Sequence, residues 1–102
     1  MTDADINLVI AEIEYPDAVT FESEDGTVYV KNHKGIFKRY NYCNNWEDIG
    51  PIIEREKITV DFWDYKQWIA HNNGYTPFVK TRAETPMKAA AMCYLKMRGG
   101  VE

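Results

Sequence analysis

The chain predicts an α+β fold: a single small domain over residues 1–102, with N-terminal and C-terminal helices packed on an antiparallel β-sheet as a layered α/β sandwich. Three observations carry that expectation. Apolar residues recur at helical spacing near the two ends, at Ile6, Val9, Ile10 and Ile13 and again at Met87, Ala90, Ala91, Tyr94 and Leu95. Between them lie short runs of β-branched and aromatic residues, punctuated by Asp25-Gly26, Asn32-His33-Lys34-Gly35 and Asn72-Asn73-Gly74. Finally, 102 residues with 45% hydrophobic and 27% charged side chains suit one modest core without a deep enclosed cavity.

The first helix is expected from about Asp3 to Tyr15, because Thr2 and Asp5 fit the capping-box pattern and Pro16 ends the run. Val19-Thr20-Phe21 and Val28-Tyr29-Val30 flank the Asp25-Gly26 hairpin signal, and the turn at Asn32 to Gly35 leads into Ile36 to Tyr40. This predicts a three-stranded antiparallel meander, with Val28 and Val30 on one face and Tyr29 and Lys31 on the other. Next, Asn41, Asn44, Asn45 and Glu47 to Gly50 read as a long loop, and Pro51 is placed to open a short helical turn through Arg55.

Ile58, Val60 and Phe62 alternate with Lys57, Thr59 and Asp61 as in a strand, and Trp68-Ile69-Ala70 reads as another. Phe62, Tyr65, Trp68 and Ile69 also fit a helix from Asp61 to Asn72, so residues 58–72 admit both readings, with strand preferred. Tyr75 to Glu84 reads as a connector or an extra edge strand, since Pro77 keeps it off a central position. The last helix has Thr85 as N-cap, Pro86 in its first turn, and Lys96 and Arg98 before Gly99-Gly100. Its run Ala89-Ala90-Ala91 permits close approach to a sheet.

The net charge of −4 conceals a polarised distribution. Residues 1–30 hold Asp3, Asp5, Glu12, Glu14, Asp17, Glu22, Glu24 and Asp25 with no Lys or Arg, whereas residues 31–39 hold Lys31, Lys34, Lys38 and Arg39 around His33 with no acid. Such runs usually pair across a surface; the sharper reading is an anion site at Lys31, Lys34, Lys38 and Arg39, or an acidic face toward a basic partner. No apolar window reaches the length of a membrane span, and the acidic N-terminus lacks the basic start of a secretory signal. The expectation is a cytoplasmic protein without a membrane partner, in which Cys43 and Cys93 are free thiols.

Several chemistries have little support. His33, His71, Cys43 and Cys93 do not fall at metal-ligand spacings, so no metal is expected, and the six glycines form no phosphate-cradling loop, so no cofactor is expected either. A nucleophilic site would need Cys43 or Cys93 beside a histidine, or Ser23, the one serine of the chain. Cys43 could meet His33 or His71 in space, although a buried thiol is the commoner role. Glu54 and Glu56 bracket Arg55, a pattern that helix-dipole and ion-pair roles explain as well as acid–base chemistry does.

Recognition is better supported, because seven of the ten Tyr and Trp residues (Tyr40, Tyr42, Trp46, Trp63, Tyr65, Trp68 and Tyr75) lie between positions 40 and 75. A small domain cannot bury them all, and the remainder would form rigid contact surface interleaved with amides. The partner-binding candidates are Tyr42, Asn44, Asn45, Trp46, Trp63 and Trp68.

Two segments carry a family resemblance: Tyr40-Asn41-Tyr42-Cys43-Asn44-Asn45-Trp46 running into Gly50-Pro51-Ile52-Ile53-Glu54-Arg55-Glu56, and Thr85-Pro86 followed by an Ala-rich helix with Met92-Cys93-Tyr94. They resemble small bacteriophage proteins with the phage ABA-sandwich domain, including the NinX-type proteins of lambdoid phages. The resemblance covers mainly residues 36–58 and 85–96, with a looser match at Trp68-Ile69-Ala70, and departs from the pattern before residue 36 and between Gly74 and Glu84. It implies a layered α/β domain encoded as a phage accessory gene in an infected bacterial host cell, and supplies no catalytic residues.

The leading expectation is a non-enzymatic accessory protein that binds a host or phage macromolecule, a protein partner above all, and modulates a host process or defence system. A sponge for a small nucleotide or another anionic metabolite is the alternative. An enzyme centred on Cys43 or Glu54 is the weakest reading, for want of a matched base and nucleophile. Duplex DNA is not expected as a partner, given the acidic balance and the short basic run.

Overall fold

A computed structural model of the chain describes residues 1–64, 67–73 and 77–99, apart from the side chains of Trp63 and Asp64. The expected aromatics Tyr65 and Tyr75, the turn residue Gly74, the helix stop at Gly100 and the ring of the candidate Trp63 therefore lie outside the described residues. Within them the order is α1 (Asp3–Glu14), β1 (Val19–Glu22), β2 (Val28–Lys31), β3 (Phe37–Tyr40), α2 (Trp46–Glu56), β4 (Thr59–Asp64), β5 (Gln67–His71), β6 (Lys80–Ala83) and α3 (Pro86–Met97).

Local chemistry explains the helix starts. Thr2 and Asp5 close the predicted capping box of α1, and the Thr85 hydroxyl accepts the Lys88 amide at 3.2 Å with Pro86 in the first turn of α3. The second helix is a correction to the expected loop and late turn: it begins at Trp46, with Pro51 inside it. Asn45 Oδ1 caps it by accepting the Glu47 amide at 3.0 Å, and the acids Glu47 and Asp48 favour its N-terminus. Burial of Ile49 and Ile52, each worth about 1.5–3 kcal/mol, offsets the roughly 3 kcal/mol that an internal proline costs.

The strands are antiparallel throughout and fall into two sheets, β1-β2-β3 and β4-β5-β6. Thr59–Asp64 and Gln67–His71 are strands and not a helix: Thr59 pairs with His71 and Val60 with Ala70 across β4 and β5. The connector after Pro77 supplies β6 as an edge strand.

Helix α3 is the centre of the molecule. It packs on β4, β5 and β6 on one side and on α1 and α2 on the other, while α1 also covers β1 and β2. Ala89, Ala90 and Ala91 are fully buried, and the Thr81 hydroxyl on β6 reaches the Ala89 carbonyl at 2.7 Å, so the small side chains do allow the close approach expected of them. Val28 and Val30 of β2 join the same core as Ile6, Ile10 and Leu95. Among the described residues no helix is long and apolar enough to cross a membrane.

Candidate functional site

Strand alternation decides what each sheet offers to solvent. In the second sheet, Val60, Phe62, Trp68, Ala70, Thr81 and Ala83 share the face toward α3, although Phe62 at its margin is 60% exposed, leaving Thr59, Asp61, His71, Lys80 and Arg82 outside with Ile69 buried in the row. That is the usual polar-out pattern. The first sheet inverts it. With Val28 and Val30 committed to the core, the register places Val19 and Phe21 of β1, Tyr29 and Lys31 of β2, and Phe37 and Arg39 of β3 on the outer face.

The three rings form one cluster. Phe21 stacks on Tyr29 with centroids 5.2 Å apart, Phe37 meets Phe21 edge-on at 5.3 Å, and Tyr29 and Phe37 are 6.5 Å apart. Phe21 and Phe37 are each 45% exposed, Val19 and Ile36 each 61%. The Lys31 ammonium stands 5.8 Å from the Phe37 centroid, and Arg39 lies at the opposite corner, 3.5 Å from Asp25 with both side chains mostly exposed. Beyond Val19 and Lys31 the face continues into an open groove of about 570 Å³ bordered by Tyr15, Pro16, Asn32 and His33.

The expected anion residues are thus divided. Lys31 and Arg39 share the outer face, Lys34 sits in the β2–β3 turn, and Lys38 lies on the other face of β3 with its ammonium 4.8 Å from the Tyr40 centroid. Two acids of the N-terminal third pair elsewhere: Glu14 with Arg55 at 2.8 Å and Asp3 with Lys88 at 2.9 Å. Among the described residues Lys31 and Lys34 form no ion pair.

Among the described residues no ring contact links the aromatics of the expected aromatic-amide surface into one cluster. Tyr42 is a correction: at 2% exposure it belongs to the core, stacked 5.5 Å from Tyr40, and cannot face a partner in this fold. Trp68 is half-buried: it packs against the core on one side and edge-on to the 60% exposed Phe62 at 5.3 Å on another. Trp46 is 51% exposed at the start of α2, and no ring contact among the described residues joins it to Tyr42 or Trp68. Asn44 and Asn45 are exposed and border a polar cleft of about 330 Å³ with Arg39 and Asp48. Both also serve the loop itself, Asn45 as the α2 cap and Asn44 through Asp3 Oδ2 at 3.2 Å and Asn41 Oδ1 at 3.1 Å.

Asn7, which the sequence reading passed over, holds this loop in place. Fully buried on α1, it donates to the Gly26 carbonyl at 2.8 Å and accepts the Cys43 amide at 3.1 Å. Its polar intrusion between Ile6 and Ile10 was the available signal.

The candidate nucleophiles are poorly placed for chemistry. Cys43 is buried against Asp3 and Asn7, and burial pushes its thiol up to about 12; burial pushes Cys93 up to about 11. His71 lies 3.7 Å from Asp61 on the second sheet, while His33 is in the β2–β3 turn. Glu56 takes Arg55 Nε at 2.8 Å and Arg98 at 3.2 Å, so the Glu54–Glu56 pattern is half absorbed in an ion-pair cluster. The two thiols are free and fully buried.

No curated protein matches the chain. The sequence model of the family described as Bacteriophage P22, NinX matches residues 1–98. The match therefore extends through the first 35 residues and the stretch from Gly74 to Glu84, where the signature segments alone had suggested a departure, and takes in all three helices and both sheets. The chain accordingly belongs to the bacteriophage P22 NinX family.

Proposed function

We propose that this phage protein works by binding a macromolecule in the cytoplasm of the infected cell, and not by catalysis, with the outer face of β1-β2-β3 as its contact surface. One observation carries the reading: three mutually packed aromatic rings lie on an open sheet face beside exposed Val19, a larger ring cluster than the Phe62–Trp68 and His71–Phe78 pairs on the second sheet among the described residues. Exposed apolar surface of this kind mainly adds aggregation risk unless something covers it, and aromatic side chains are enriched at interface centres. The buried, raised thiols support the non-catalytic part, since a thiolate is the reactive form.

The test is photo-crosslinking in infected cells, with a benzophenone side chain at position 37 and a control at the exposed Lys96 on α3. A macromolecular adduct specific to position 37 is expected. Equal labelling from both positions, or none from position 37, would refute the choice of face.

A further inference from the structure

Resting on that assignment of the contact face, we infer that its occupant is a single strand of nucleic acid, whose bases stack on the Phe21–Tyr29–Phe37 cluster while Lys31 and Arg39 meet its phosphates. The argument is one of complementarity. Every unpaired base has a π-face, and sheet aromatics can stack two or three bases; here Phe21, Tyr29 and Phe37 stand on three neighbouring strands, packed on one another, with the Lys31 ammonium over Phe37 and the outward sides of Phe21 and Phe37 open to solvent. The cations are available, since Lys31 has no acidic partner among the described residues and Arg39 keeps only a loose, solvent-exposed contact with Asp25.

An apolar protein surface seated on the same rings would have to cover these two cations without neutralising them, which is costly. A duplex hides its base faces and, on a chain of net charge −4, would meet too few cations. A free mononucleotide is disfavoured because the face is open, whereas small-ligand sites enclose most of the ligand surface. A strand adds contacts along its length, and the groove beyond Val19 and Lys31 extends the path past the rings.

The experiment is fluorescence anisotropy of the purified protein with labelled oligo(dT) of about twelve nucleotides at low salt. Phe37→Ala is expected to weaken binding about tenfold, the loss of one stacked base. Two phosphate contacts predict a log–log salt slope of about −1.4, and Lys31→Ala should remove about half of it. Amide chemical shifts of the unmutated protein with the same oligonucleotide should move at residues 19–21, 29–31 and 36–39. That arm needs no variant to fold.

The inference is overturned by no binding at about millimolar protein, by shifts confined to α2 or the second sheet, or by duplex DNA or thymidine monophosphate binding as well as the strand. A position-37 adduct with a protein, together with no oligonucleotide binding, would overturn the nucleic-acid inference and leave the assignment of the face standing. Absence of both would remove the face as well.

Discussion

Replacing Glu14 with Gln should lower the melting temperature by about 10 °C near neutral pH. Glu14 on α1 accepts Nη1 and Nη2 of Arg55 on α2, each at 2.8 Å, and the Tyr94 hydroxyl of α3 donates to the same carboxylate. One side chain thus ties three helices. The Arg55 side chain is 49% exposed, which limits that pair to the surface value of at most about 1 kcal/mol. Tyr94 is fully buried, and a hydroxyl bonded to a charged acceptor contributes about 1.5–3 kcal/mol. Gln keeps the shape, loses the charge and turns a donor toward donors, so about 2.5 kcal/mol is at stake, at about 4 °C per kcal/mol for a domain of this size.

The pH dependence supplies an internal control. Hydrogen bonds from Arg55 above all, then from Tyr94, outweigh burial and hold the Glu14 carboxyl below its ordinary value of about 4.5. A carboxyl lowered by folding adds stability that is present in full above the unfolded value and disappears as pH falls through the folded one. The gap between wild type and Glu14→Gln, read from thermal melts by circular dichroism, should therefore be flat above about pH 5.5 and close as pH falls below about 4.5. A gap under about 3 °C near neutral pH, or one undiminished at about pH 3, would refute the reasoning.

Two further outcomes test the interior of the fold. Asn7→Leu strands the Cys43 amide and the Gly26 carbonyl in the interior and should cost about 3 kcal/mol in chemical denaturation; a loss below about 1 kcal/mol would mean that the loop is held by other contacts. Cys43 and Cys93 should resist a thiol reagent in the folded protein and both react on unfolding, and rapid native labelling of either would contradict its burial.

Helix caps, turn positions and the strand alternation after Ile58 were legible because each rests on chemistry within a few residues: Thr2 with Asp5, Thr85 with Pro86, Asp25 with Gly26. The start of α2 was hidden by Gly50-Pro51, which outweighed the capping signal of Asn45 with Glu47 and Asp48. The site was harder to read for another reason. Counting Tyr and Trp directed attention to residues 40–75, yet Tyr42 is core and Trp68 half-buried against it, while the open platform is built largely of phenylalanines, which such a count passes over.

Which face those phenylalanines take is a question of register, and a slip of one residue would send Phe21 inward. The turns decide it. Between β1 and β2 the Ser23 amide donates to the Thr27 carbonyl at 2.9 Å, Asp25 Oδ1 accepts the Thr27 amide at 3.1 Å, and Gly26 supplies φ of +86°, which opposes Phe21 to Tyr29. Between β2 and β3, Asn32 Oδ1 accepts the Lys34 and Ile36 amides at 2.8 and 3.0 Å, and Gly35 takes φ of +83°, which opposes Lys31 to Phe37. Two polar turns thus hold three rings and a lysine outward against the hydrophobic preference to bury the rings. A chain whose local turn chemistry enforces that exposure has a surface specified in its sequence, which is why the face, and not the aromatic-rich loop, is where a partner should be sought.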